Sequence, residues 1–300
     1  MLTKFIALAM GVLLSVSAAD MATADMATLT RQAQNGDVAA QLDLADEYYK
    51  RGNHAKAFEW TTKAASQGLA TAQYSLGWMY VNGHGVSQDY QKAVEWITKA
   101  ANQGHAAAQY NLGGMYAKGH GVSRDDQKAF EWYTKAAHQG YADAQNNLGV
   151  MYDNGQGVRQ DYQKAHEWYT KAAHQGHAKA QYNLGMMYHK GHGVRQDYQK
   201  AVEWFTKAAQ QGYADAQTIL GVMYTKGLGV RQDHQKAAEW YTKAAHQGDA
   251  VAQFILGLMY YDGEGVPQNK STAKRYFGQA CDNGEQSGCN KYHELDQQGY

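Results

Sequence analysis

The chain has 300 residues, with 28 Lys+Arg balanced by 28 Asp+Glu and a formal net charge of zero. That balance argues against a nucleic-acid binder, which meets phosphates with a basic stripe. A single proline, 19% charged residues and regularly placed aromatics exclude a disordered chain.

In chain order, Lys4 precedes an apolar stretch from Phe5 to Val16 and the small residues Ser17-Ala18-Ala19. The stretch is too short to cross a bilayer, so residues 1–19 read as a removed secretory signal, with an alternative cut after Ala24. No other long apolar run follows, and the expectation is a periplasmic or secreted protein with no membrane span. Residues 20–36 are an N-terminal segment in which Leu29 to Gln34 reads as a half-repeat helix closed by Gly36.

A fixed period then takes over. Trp60, Trp96, Trp132, Trp168, Trp204 and Trp240 stand 36 residues apart, and Gln73, Gln109, Gln145, Gln181, Gln217 and Gln253 keep the same interval. Such a period marks a stacked repeat architecture. Residues 37–68 form a first unit four residues short, which reads as a capping repeat; six full units fill 69–284, and residues 285–300 read as a closing helix.

Each unit contains two helices. In the first, Ala72, Leu76, Met79 and Tyr80 share one helical face. Gly77 interrupts it at a cost of about 1 kcal/mol relative to alanine, and its return at Gly113, Gly149, Gly185, Gly221 and Gly257 implies a close helix approach. Asn82-Gly83 ends the helix, and Val86 is placed to plug the turn. Asp89, Asp125, Asp161, Asp197, Asp233 and Asn269 are N-caps of the second helix, whose buried stripe takes Ala93, Trp96 or Ile97, and Ala100. Glu95 and Lys99, repeated at Glu131/Lys135, Glu167/Lys171, Glu203/Lys207 and Glu239/Lys243, are spaced as exposed i,i+4 ion pairs. The expected fold is all-α: a right-handed α/α superhelical solenoid of about seven 36-residue helix pairs.

The pattern A-x-A-Q-x-x-L-G-x-M-Y-x-x-G-x-G-V followed by D-x-x-K-A-x-E-W-x-x-K-A-A-x-Q-G resembles the Sel-one-like repeat (SLR) family, a relative of the tetratricopeptide repeat, over residues 37–284. The resemblance implies a non-enzymatic helix-pair scaffold that binds proteins, with exported bacterial members acting in envelope processes, signalling or host-cell interaction. The C-terminal cysteines are similar to those of the family's cysteine-rich Hcp-like branch, which implies as an alternative a weak β-lactam- or peptidoglycan-active enzyme. This chain departs from that branch in having only Cys281 and Cys289, bracketing the turn at Gly284. In an exported protein they read as a disulfide stapling the last repeat; the rival reading is a free redox or metal-binding thiol pair.

Chemistry is sparse. Ser271-Thr-Ala-Lys274 matches the S-x-x-K nucleophile motif of serine β-lactamases, but the companion S-D-N and K-T-G motifs are absent and Ser271 falls in an ordinary first turn of a helix. The 13 histidines are largely copied by the repeat: His138, His174 and His246 share one position, and His84, His120 and His192 another. They read as solvated side chains, with His166 a singular departure; no catalytic residue, metal site or cofactor is expected.

Variation between repeats is more informative. On the first helices, positions equivalent to 71, 75, 78 and 82 form a stripe apart from the core face. In the resembling solenoids this helix lines the concave face. Asn111, Asn147 and Asn183 are therefore candidates to bond an extended peptide, beside apolar pockets at Trp78, Met186, Val222 and Leu258. The competing reading is that these side chains pack against the second helix of the next unit.

Overall fold

A computed structural model of the chain describes residues 26–300; the leader read at 1–19 lies outside them. The described residues form helices and turns without strands. The helices are α1 Met26–Gln34, α2 Val38–Lys50, α3 His54–Ser66, α4 Ala70–Asn82, α5 Tyr90–Asn102, α6 Ala106–Lys118, α7 Asp126–His138, α8 Ala142–Asn154, α9 Tyr162–His174, α10 Ala178–Lys190, α11 Tyr198–Gln210, α12 Ala214–Lys226, α13 His234–His246, α14 Ala250–Asp262, α15 Lys270–Asp282 and α16 Gln286–Gln297. The chain divides into two compact units, one running to Ala144 with Gln156–Val158, the other comprising Gln145–Gly155 and Arg159–Tyr300. From α1 to α7 and from α9 to α16 consecutive helices pack on one another, the pattern of an all-α solenoid.

The caps follow the spacing. Asp89 accepts the Lys92 N–H at 3.0 Å and Asp197 accepts that of Lys200 at 3.0 Å, each satisfying a donor the helix leaves orphaned. Gly83 closes α4 with φ 69°, a left-handed conformation that costs glycine nothing. Inside the first helices the glycines admit the second helix of the same repeat: a Cβ at Gly185 would lie 2.8 Å from the Phe205 ring, and one at Gly113 would lie 2.8 Å from that of Tyr133. The ring fills the notch, and Phe205 is fully buried.

The periodic glutamines are buried polar groups that join successive helices. In the second unit Gln181, 5% exposed, donates its amide to the Ala173 carbonyl at 3.1 Å and accepts from Gln211 Nε2 at 2.8 Å. Ala173 is in the last turn of α9, its carbonyl also accepting the Gly176 N–H, and Gln211 caps α11. One side chain therefore ties the end of one repeat to both helices of the next. Gln217 and Gln253 repeat the arrangement in that unit, as do Gln41, Gln73 and Gln109 in the first.

One surface expectation is corrected. Lys63 both pairs with Glu59 at 2.6 Å and lies 3.9 Å from the Trp60 ring centroid. The ammoniums of Lys99, Lys135, Lys171, Lys207 and Lys243 keep only the ring contact, 3.8–4.1 Å from the centroids of the tryptophans three residues earlier. Both partners are within one helical turn of the lysine. The indole face, anchored beside the core, gives a fixed cation–π site of about 0.5–1 kcal/mol, whereas the glutamate carboxylate is mobile and hydrated.

Candidate functional site

The predicted stripe is presented by α4 and α6 in the first unit and by α8, α10, α12 and α14 in the second. Trp78, Asn111, Asn147, Asn183, Met186, Val222 and Leu258 are all half-buried. They are neither swallowed by the core nor freely solvated.

The apolar members border the core. Met186 packs against the buried cluster that holds Val202, Phe205 and Leu220, Val222 against the one that holds Ala238, Tyr241 and Leu256, and Leu258 against Ala273, Phe277 and Leu295. The asparagines reach backwards along the stack instead. Asn111 Nδ2 donates to the Tyr74 hydroxyl at 2.6 Å and Asn183 Nδ2 to Asn146 Oδ1 at 3.0 Å, while Asn147 Oδ1 accepts from Asn146 at 3.3 Å. An amide carries two donors and a two-lone-pair acceptor, so each retains hydrogen-bonding capacity toward a ligand.

Trp78 has a different environment because the first repeat lacks the Gly-x-Gly-Val loop. Its place is taken by Tyr49 and His54, so Trp78 sits edge-on to Tyr49, with centroids 6.0 Å apart, and to His84 at 4.8 Å. The Tyr49 hydroxyl meets His84 Nδ1 at 2.8 Å, and His84 stacks on His54 at 5.1 Å. These four rings form the most aromatic part of the stripe.

The structure gives the histidines more work than the sequence did. The loop histidines lie against the first residue of the preceding second helix, His120 on Tyr90 at 5.3 Å and His192 on Tyr162 at 4.7 Å. His105 and His177 are N-caps of α6 and α10, their Nδ1 atoms accepting the N–H groups of Ala108 and Ala180 at 3.2 and 3.1 Å. Asp37 and Asp249, at the equivalent position, cap in the same way, and that shared position was the available signal. A cap made by Nδ1 requires the unprotonated ring nitrogen.

Burial holds the His84, His105, His166 and His189 pKa values below the ordinary one. The charge of His54 adds to the effect at His84, and those of Lys190 and Lys226 at His189; at His166 Lys200 lowers it and Glu167 opposes. The folded pKa is thus below the unfolded one, and the unfolded chain takes up protons first as pH falls. Their contribution to stability is complete above the unfolded value of about 6.5 and is lost as pH falls through it. The Tm should accordingly be lower at pH 5.5 than at pH 7.5; an unchanged or raised Tm would contradict this linkage.

No catalytic constellation surrounds Ser271. The Lys274 ammonium is 2.6 Å from Asp296, donates to the Tyr300 carbonyl and lies over the Tyr292 ring. These contacts engage it away from the serine it would have to activate. Among the described residues no cluster of three or more His, Cys, Asp or Glu side chains is placed to hold a metal ion. Cys281 and Cys289 are joined by a disulfide across Cα atoms 4.6 Å apart, linking α15 to α16. No described helix is long and apolar enough to cross a membrane.

The Sel1 repeat family model matches seven consecutive segments, 38–69, 70–105, 106–141, 142–177, 178–213, 214–249 and 250–285. The chain is similar to the solved structure of a protective antigen with an SLR fold from uropathogenic Escherichia coli strains, at 36% identity and a TM-score of 0.86. That alignment covers 93% of this chain but only 60% of the antigen's. A Sel1 repeat protein from Oxalobacter formigenes is similar at 38% identity and a TM-score of 0.78, over 90% of this chain and 79% of that one. Cysteine-rich protein B of Helicobacter pylori aligns over 44% of this chain with a TM-score of 0.36, which gives no support to a place in the Hcp-like branch. No curated protein matches.

Proposed function

Because the chain belongs to the Sel1-repeat family, whose members mediate protein–protein interactions, we propose that it is an exported, non-enzymatic scaffold that binds a protein or peptide partner along the concave face lined by its first helices. Residues 1–19 (or 1–24) serve as the export signal, 37–68 as the opening cap and 285–300 as the closing one. The observation that carries the reading is a contrast within one helix. Positions 72, 73 and 76 repeat nearly unchanged and are buried, whereas positions 75 and 78 change from repeat to repeat and stay half-exposed. Half-exposed positions that differ from repeat to repeat are free to match the irregular side chains of a partner.

Trp78 and Asn111 serve this surface in the first unit; Asn147, Asn183, Met186, Val222 and Leu258 serve it in the second. Asparagine amides bond the partner's backbone while the apolar positions take its side chains. The Cys281–Cys289 disulfide suits an oxidising compartment. Similarity to a protective antigen supports a setting in the envelope or at host contact. Trp78 is the anchor in the first unit, tryptophan being enriched among residues that dominate binding. Replacing it with alanine should reduce co-purification of the partner at least tenfold while far-UV helicity is retained. A loss of helicity instead would assign Trp78 to packing alone.

A further inference from the structure

The overall charge balance conceals a local imbalance in the second unit. Position 87 of the repeat is serine in Ser87 and Ser123 but arginine in Arg159, Arg195 and Arg231. Arg124, beside Ser123, forms a two-point ion pair with Asp126, its Nη2 and Nε 2.9 and 3.1 Å from the two carboxylate oxygens. Arg195 and Arg231, by contrast, are exposed and make no ion pair or hydrogen bond with any described residue. Lys190 and Lys226, the final residues of α10 and α12, are likewise exposed and without a carboxylate partner.

The nearby acids are already committed. Asp197 and Asp233 cap α11 and α13 through one carboxylate oxygen, and their other oxygens lie 3.9 and 3.8 Å from Lys200 and Lys236. Two successive repeats thus present four cations without an ion-pair partner among the described residues. Burial lowers the His189 pKa most, and Lys190 and Lys226 lower it further, as two neighbouring cations would. Arg231 and Lys236 also line an open cleft with Tyr224, Val230, Gln232 and Asp233, whose carboxylate is held by the α13 cap and Lys236. The feature ends abruptly, since the next repeat has Asp262 and Pro267 at the positions of Lys226 and Arg231.

The position of these cations relative to the stripe matters most. Lys190 is four residues after Met186 and Lys226 four after Val222, one helical turn along the same face. The apolar stripe therefore runs into a basic rim. A phosphodiester polymer or an anionic polysaccharide offers charge but no side chains for Ile219, Val222, Ile255 and Leu258. A polypeptide offers both. Equivalent groups on successive repeats are about 10 Å apart when helices pack at ordinary distances. A polyproline-II chain rises about 3.1 Å per residue with about three residues per turn, so carboxylates at every third residue share one face and match the ladder.

We propose that the second unit binds an acidic, partly apolar polypeptide segment, its carboxylates held by Lys190, Arg195, Lys226 and Arg231 beside the apolar stripe. Guanidinium groups favour this role because they bind carboxylates through two parallel hydrogen bonds. The inference rests on the scaffold reading and adds the partner's chemistry to it.

The test uses the full chain and a fluorescein-labelled twelve-residue peptide with glutamate at every third position and apolar residues between, followed by anisotropy. Saturable binding weakened by salt is expected, with Arg195→Glu/Arg231→Glu raising Kd at least tenfold. Lys99→Glu/Lys135→Glu, an equal charge change on second helices of the first unit, should alter it less than twofold. Equal losses in both variants would overturn the proposal, as would tighter binding of an oligothymidylate of matched charge. Absence of peptide binding would also overturn it, while partner capture along the stripe would still support the scaffold reading.

Discussion

Replacing Gln181 with leucine should destabilise the second unit by about 1–2 kcal/mol, although leucine nearly matches its volume. Gln181 is 5% exposed and gives the Ala173 carbonyl a hydrogen bond at 3.1 Å. Leucine cannot donate, so the Ala173 carbonyl keeps only its Gly176 N–H partner, while Gln211, near the surface, loses its acceptor but can turn to water. The cost is that of the two inter-helix hydrogen bonds lost. Repeats contact only their neighbours, so the loss should be local. Hydrogen exchange should quicken in α9 and α10 before α14 and α15 respond. Uniform acceleration over the whole chain, or none, would show that the glutamine chain does not couple repeats.

Gly193→Ala should cost about 3 kcal/mol or more, the sum of a left-handed backbone and an overpacked contact. Gly193 has φ 68°, and a Cβ there would overlap the Tyr162 carbonyl group, with its carbon only 2.6 Å away. Backbone cannot swing aside as a flexible side chain would. Gly176 provides the control: its φ is 85°, yet nothing is within 4 Å of its Cβ position. Gly176→Ala should therefore cost only the conformational strain, about 1–2 kcal/mol. Similar denaturation midpoints for the two variants would remove the argument that the second glycine of the Gly-x-Gly loop is required for contact between repeats.

The sequence disclosed what is local and copied. Helix caps such as Asp197 act within three residues, and the glycine notch at Gly185 declared itself by recurring on an otherwise apolar face. Contacts that depend on choosing between two allowed partners were not legible. Lys99 has Glu95 and Trp96 both within one helical turn, and spacing alone cannot rank a mobile carboxylate against an anchored indole. Gln181 marked the period, but its partners are eight residues earlier and thirty later, so only the folded stack shows that it is buried and bonded. The stripe was legible as a register. That Asn183 spends one donor on Asn146, and that Trp78 joins Tyr49 and His84, became visible only once neighbouring helices were in place.

The most direct measurement of the central claim is site-specific photo-crosslinking within the second unit. A photoreactive residue at Asn147 places the probe on the first-helix stripe, and one at Glu167 places it on the exposed side of a second helix. Both are presented, on the mature protein, to periplasmic extract and to host-cell lysate. The scaffold reading predicts a discrete adduct at Asn147, competed by unlabelled protein and absent at Glu167. Equal labelling at the two positions, or none at either, would contradict it.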